Sequence, residues 1–200
     1  MRYVSLWLCG ICVFVFVLQL VIPGFTEMFL LDSSAWFEPW RFLTAIFLHG
    51  GIVHLLYNLV ALFFFGLSLE RFVGTRKFLF VFFATGIIAN IFSINFYDSS
   101  LGASGAIFGV IGALIVVRPT LPVFAFGLPM PLFMAGLLWG VGDVIGVFVP
   151  SNVANLAHLS GLGVGLIFGL FLRDWNRREV NRRIILDEGS VRRWEDSWMR

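Results

Sequence analysis

A membrane-embedded, all-α protein that crosses the bilayer six times is the fold class this sequence predicts, and three observations predict it. Of the 200 residues, 59% are hydrophobic and 13% charged, about half the charged share of a soluble domain. The apolar residues gather into runs long enough to fill a hydrocarbon core of about 30 Å. The basic residues lie almost wholly on one side of those runs, as an even number of spans requires.

The first run, residues 4 to 25, lacks a small-residue cleavage site followed by a polar start, so it reads as a retained span. Cys9 and Cys12 lie inside it as packing or lipid-facing residues, since a CxxC outside a βαβ context is a weak redox signal. Residues 27 to 51 are too long and too mixed for a turn. They carry Glu27, Asp32, Glu38 and Arg41 beside Trp36, Phe37 and Trp40, which suit a membrane interface and predict a structured, partly embedded loop. Residues 52 to 69, 78 to 97 and 102 to 117 form the next three spans. Pro122, Pro129 and Pro131 break the apolar region that follows. Proline is at home in the first turn of a helix and disruptive later, so the fifth span starts near Pro131 and 119 to 130 is an apolar connector. The sixth span is 155 to 172. Residues 1–173 form one domain, and 174–200 form a basic, aromatic tail. Val191, Trp194 and Trp198 recur there at helical spacing, which suits an interfacial helix as well as a solvated tail.

Arg2, Arg71, Arg76, Lys77, Arg118 and the eight arginines from Arg173 to Arg200 all fall on the side of the termini, and only Arg41 falls opposite. By the positive-inside rule both termini are cytoplasmic. The net charge of +2 adds little; the bilayer is the expected partner, with no nucleic acid and no cofactor.

Polar side chains within spans are expensive and so are candidates for function. They are His54 and Asn58 in the second span, Ser104 in the fourth, Asp143 in the fifth and His158 in the sixth. Each even-numbered span ends at an arginine, from which depth can be counted. At 1.5 Å per residue Ser104 lies roughly 21 Å above Arg118, His158 roughly 22 Å above Arg173, and Asn58 and His54 roughly 20 and 25 Å above Arg71. Three parallel helices therefore bring a hydroxyl, two imidazoles and a carboxamide to one level. The fourth span is short, so a water-filled depression is expected above Ser104.

Taken singly, Ser104 in GASGAIFG would be an N-cap or a packing residue, and His158 a histidine satisfied by a neighbour. Gly105 and Gly109 on one helix, and Gly161, Gly165 and Gly169 on the other, favour close packing of the fourth span on the sixth. That contact brings Ser104 to His158. An imidazole beside a serine takes the hydroxyl proton during attack and returns it to the leaving amine, while His54 and Asn58 become donors to the oxyanion. Asp143 is a carboxylate of undetermined depth, read as a polar bundle contact, an outer-end residue or a third catalytic member. The G-x-S-x-G elbow is absent because Ala106 stands where its second glycine belongs. No metal site is expected, since His54 and His158 lack an acidic or thiol partner at their level and His49 belongs to the loop end.

Trp40-Arg41, His54-Leu-Leu-Tyr-Asn58, Glu70-Arg71, Gly102-Ala-Ser104-Gly105 and Ala157-His158-Leu-Ser-Gly161 with Gly165, in this order and with these spans between them, resemble the rhomboid family of intramembrane serine proteases. The resemblance covers residues 1 to about 173 and implies a six-helix rhomboid-type bundle with a Ser104–His158 catalytic dyad and no catalytic acid. It also implies an oxyanion hole from His54, Asn58 and the Ser104 backbone N–H. The implied substrates are single-span membrane proteins cut near the outer leaflet. Separately, a minimal six-span chain without a long soluble extension favours a prokaryotic plasma membrane over an organelle membrane. Where many members have a tyrosine packed on the catalytic histidine, this chain has Phe108, which retains the ring face and loses the phenol. The rival readings are an inactive rhomboid-like adaptor that binds membrane helices and a small transporter. The adaptor has no chemical need for the full polar set, and the transporter would place polar residues through the whole thickness.

Overall fold

The computed structural model describes residues 3–149 and 153–198. Six apolar helices follow one another in the predicted order. Val4–Val21, Ile52–Val73, Thr75–Ser93 and Asn155–Arg173 are long and apolar enough to cross a membrane, and Ser104–Val117 and Leu132–Val147 are shorter. They are called here the first to sixth spans in chain order. The third ends at Ser93 rather than near 97, where the winding tightens into turns with Asn95 N–H on Phe92 O and Phe96 N–H on Ser93 O, each three residues back.

The fourth span is the axis of the bundle. Ten of its fourteen residues are buried, so a helix that is apolar on every face suits it. Its glycines set how near its neighbours come. A Cβ on Gly161 of the sixth span would stand 2.1 Å from Gly105 O, and one on Gly165 would stand 2.0 Å from Gly109 O. On the opposite face Gly105 and Gly109 lie against Ala89 and Thr85 of the third span. Only hydrogen at these positions permits backbones to touch so closely, and the fourth and sixth spans pair as their glycines predict.

Glu70 holds the start of the first span. Its carboxylate accepts from Val4 N–H and Ser5 N–H at 2.9 Å, and from Ser5 Oγ and Thr75 Oγ1 at 2.8 Å. Two amides left free by the beginning of a helix are thereby satisfied. Arg41 performs the corresponding service for the long first loop, donating to Glu27 O at 2.8 Å, to Leu30 O at 2.9 Å and to the Glu38 carboxylate. Leu31–Asp32 pairs antiparallel with Ser99–Ser100, and Asn90 Nδ2 donates to Phe42 O at 2.8 Å. The loop is structured, with Trp36, Phe37 and Trp40 exposed.

The apolar connector has a definite fold. Pro122–Ala125 and Leu128–Pro131 form a two-stranded antiparallel hairpin around Phe126-Gly127, and the fifth span begins at the next residue, Leu132. The sixth helix continues without a break from Asn155 to Trp198. The side chains of Trp175, Val191, Trp194 and Trp198, on which the interfacial expectation for the tail rests, lie outside the described residues.

Candidate active site

Ser104 is the first residue of the fourth helix. The N-cap is Ala103, which makes no side-chain capping bond, so capping does not explain the serine. Its Oγ lies 2.8 Å from Nε2 of His158. The helix it opens has 14 residues, about 21 Å of rise against a core of about 30 Å, which keeps Ser104 below the end of the longer spans.

His158 is held on three sides. The Phe108 ring stacks on the imidazole with centroids 4.4 Å apart and planes 4° from parallel, so the face contact is present without a phenol. Nε2 faces Ser104, and Nδ1 faces Asp143 Oδ1 at 3.0 Å. An Asp143 oxygen that accepts from Nδ1–H keeps the ring proton there and leaves the Nε2 lone pair toward the serine hydroxyl. This tautomer is the one a general base requires.

Asp143 is the residue that depth counting left unplaced. With the fifth span starting at Leu132, it lies roughly 17 Å along that helix, and its side chain is buried beside His158. Its Oδ2 has no partner among the described residues. The sequence signal was present, since Asp143 is the one carboxylate in the spans after Ser104. What it lacked was a helix start accurate enough to set depth and face.

His54 stands across Gly102 from this pair. Gly102 has φ +123°, and a Cβ there would lie 2.7 Å from His54 Cε1, so the imidazole rests directly on the backbone that leads into Ser104. Asn58 is buried one turn further along the second span, and its Nδ2 donates to His54 O at 2.8 Å. That bond uses one of two amide protons. The second span thus carries both predicted oxyanion donors, with His54 against the backbone that leads into Ser104.

His49 is a buried neighbour that the sequence assigned only to the loop end. Its ring meets His54 edge-on at 5.2 Å, its Nδ1 bonds Phe47 O at 3.1 Å, and its N–H donates to Gln19 Oε1 at 2.9 Å. Burial first, and repulsion from His54 second, lower its pKa to about 4. A cleft of about 260 Å³ lies where the fifth span ends and the sixth begins, lined by Tyr97, Gly146, Phe148 and Asn155 among others, and neither Ser104 nor His158 lines it.

The family model of the Rhomboid domain matches residues 37–175. The chain is 38% identical over 149 residues to rhomboid protease GluP of Bacillus subtilis (strain 168), covering 72% of this chain and 27% of that one. It is 27% identical over 182 residues to rhomboid protease GlpG of Yersinia pseudotuberculosis serotype I (strain IP32953), covering 87% of this chain and 63% of the relative. The GlpG of Yersinia pestis (strain Pestoides F) matches to the same extent. The chain therefore spans less than two thirds of the length of these relatives.

Proposed function

The chain belongs to the rhomboid family, and on that premise we propose that it is an intramembrane serine endopeptidase working through Ser104 and His158. The observation that carries the proposal is the 2.8 Å contact from Ser104 Oγ to His158 Nε2, with Nδ1 of the same ring bound to Asp143.

Ser104 Oγ attacks the scissile carbonyl while Nε2 takes its proton. The oxyanion formed is met by the backbone N–H of Ser104 and by His54 and Asn58, donors fixed on helices rather than loops. The imidazolium then protonates the leaving amine, and water repeats the sequence to free the acyl group. Asp143 acts as a positioning residue: it holds the proton on Nδ1 and balances the charge on His158. Serine and histidine remain the reacting pair, as the resemblance implies.

The substrates proposed are transmembrane segments of single-span proteins, cut near the outer leaflet. A helical segment hides its carbonyls in hydrogen bonds and must unwind to be attacked. Placing the site in the half of the bundle away from the termini puts it in that leaflet, because the basic residues assign the termini to the cytoplasm. The bacterial relatives support a plasma membrane.

The test is to incubate detergent-purified protein with a fluorogenic membrane-segment substrate, comparing wild type with Ser104→Ala and His158→Ala. Cleavage by wild type alone is expected. Cleavage that persists in Ser104→Ala refutes the mechanism, and a wild type inert toward every segment tried favours the adaptor.

A further inference from the structure

The hairpin between the fourth and fifth spans is apolar from end to end. Residues 121 to 131 read LPVFAFGLPMP, with no charged side chain and no polar one. Phe124, Phe126 and Leu128 are 76%, 61% and 62% exposed. Large apolar groups clustered at a ribbon tip are not left to water without cause.

The hairpin does not project away from the membrane. Its base lies at the level of Arg118, whose guanidinium sits 4.7 Å over the Phe72 ring near the end of the second span. Its tip lies higher in the bundle, because the Phe126 ring is 6.1 Å from that of Trp139. Trp139 stands seven residues into the fifth span, about 10 Å of helix above the hairpin base, less the backward lean of a helical side chain. A four-residue strand rises about 13 Å, which is enough to cover that height. The ribbon therefore folds back along the outside of the bundle.

The backbone suits such a place. Hydrogen-bonded and non-bonded pairs alternate along an antiparallel ladder, and proline cannot donate. Pro122↔Pro131 and Phe124↔Pro129 are therefore the non-bonded pairs, leaving Val123↔Met130 and Ala125↔Leu128 to exchange bonds. Leu132 N–H on Leu121 O at 2.9 Å continues the same alternation. Four strand positions thus direct their nitrogen outward, and three of them are proline. Only Phe124 keeps a donor on the strand edges. Unpaired N–H and C=O groups both penalise an open ribbon in hydrocarbon, and the prolines remove three of the four outward strand donors while the outward carbonyls remain.

From these observations we infer that residues 121–131 form a re-entrant hairpin buried in the acyl chains of the leaflet on the side of the termini, with Phe124, Phe126 and Leu128 in contact with lipid. The lipid-facing surface is continuous here, since Phe63 and Phe64 of the second span and Leu137, Leu138 and Val141 of the fifth are exposed as well. The ribbon is an anchor beside the foot of the fifth span, and it does not depend on the serine chemistry.

The test places a nitroxide at Phe124→Cys and, separately, at Leu128→Cys in a chain carrying Cys9→Ala and Cys12→Ala, in vesicles of phosphatidylcholine and phosphatidylglycerol. Neither side chain is packed, so two independent labelled sites keep the test decisive if one chain folds poorly. Leu137→Cys is the lipid-facing reference, and Thr120→Cys, exposed at the hairpin base, is the aqueous one. Oxygen is expected to collide with both hairpin labels severalfold more often than a water-soluble nickel chelate does, as at Leu137. Chelate collision at the Thr120 level overturns the inference. Low collision with both reagents overturns it as well, because a protein surface, such as a second copy, would then cover the ribbon.

Discussion

One methyl group at Gly161 tests how far the chemistry depends on the approach of two helices. A Cβ there would stand 2.1 Å from Gly105 O, whereas carbon and carbonyl oxygen rest no closer than about 3.3 Å. Relieving the clash by translation alone moves the sixth span away by about 1.2 Å, at an overpacking cost of about 1–3 kcal/mol. Ser104 adjoins Gly105, and His158 is one turn from Gly161, so the retreat passes directly to their 2.8 Å hydrogen bond. Lengthened to about 4 Å, that bond is lost, and a misplacement of about 1 Å is worth about 10²-fold in rate. Gly161→Ala is therefore expected to lower kcat/KM for a membrane-segment substrate by about 10²-fold in protein that is still folded, with a reduced Tm. Gly163→Ala is the internal control. It lies on the same helix, with nothing within 4 Å of an added Cβ, and should change neither quantity. Wild-type turnover and Tm in Gly161→Ala would refute the argument that glycine contact positions the dyad.

Asp143→Asn keeps an oxygen that can accept from His158 Nδ1, so substantial cleavage is expected to remain in the assay that silences Ser104→Ala. A loss of about 10⁴-fold, the size of a wrong-tautomer effect, would show that the carboxylate is indispensable. For His49, whose pKa falls to about 4 in the folded chain against about 6.5 when unfolded, the buried neutral form stabilises the fold fully above pH 6.5. That stability is lost as pH falls toward the folded value, by about 2 kcal/mol between pH 7 and pH 5. The drop in Tm over this interval should shrink in His49→Gln, and an equal drop in both proteins would refute the assignment. Glu70→Ala strands the Val4 and Ser5 amides and should cost about 2–4 kcal/mol, read as a lower Tm with cleavage retained at low temperature. An unchanged Tm would show that the clamp contributes nothing.

Span number and the polar plane were legible because both follow from local counting: apolar length, and residues above an arginine. Ser104 and His158 needed little more, since each lies on a helix whose lower end is marked by charge and whose packing face is marked by glycine. Asp143 failed on the same arithmetic. Each residue of error in the start of the fifth span turns the helix by about 100° and shifts it by 1.5 Å, so an uncertain start left its face as open as its depth. The hairpin was hidden for another reason. Pro122, Pro129 and Pro131 read singly as breakers, and their common purpose appears only when the register pairs them and shows each on the outward edge. Arg41 illustrates the same limit from the charged side. Its position opposite the other basic residues looked like an exception to charge bias, but its guanidinium binds Glu27 O and Leu30 O from within the loop. A cation spent on carbonyls of its own loop does a structural task, which leaves the charge asymmetry of the remaining thirteen basic residues intact as the evidence for orientation.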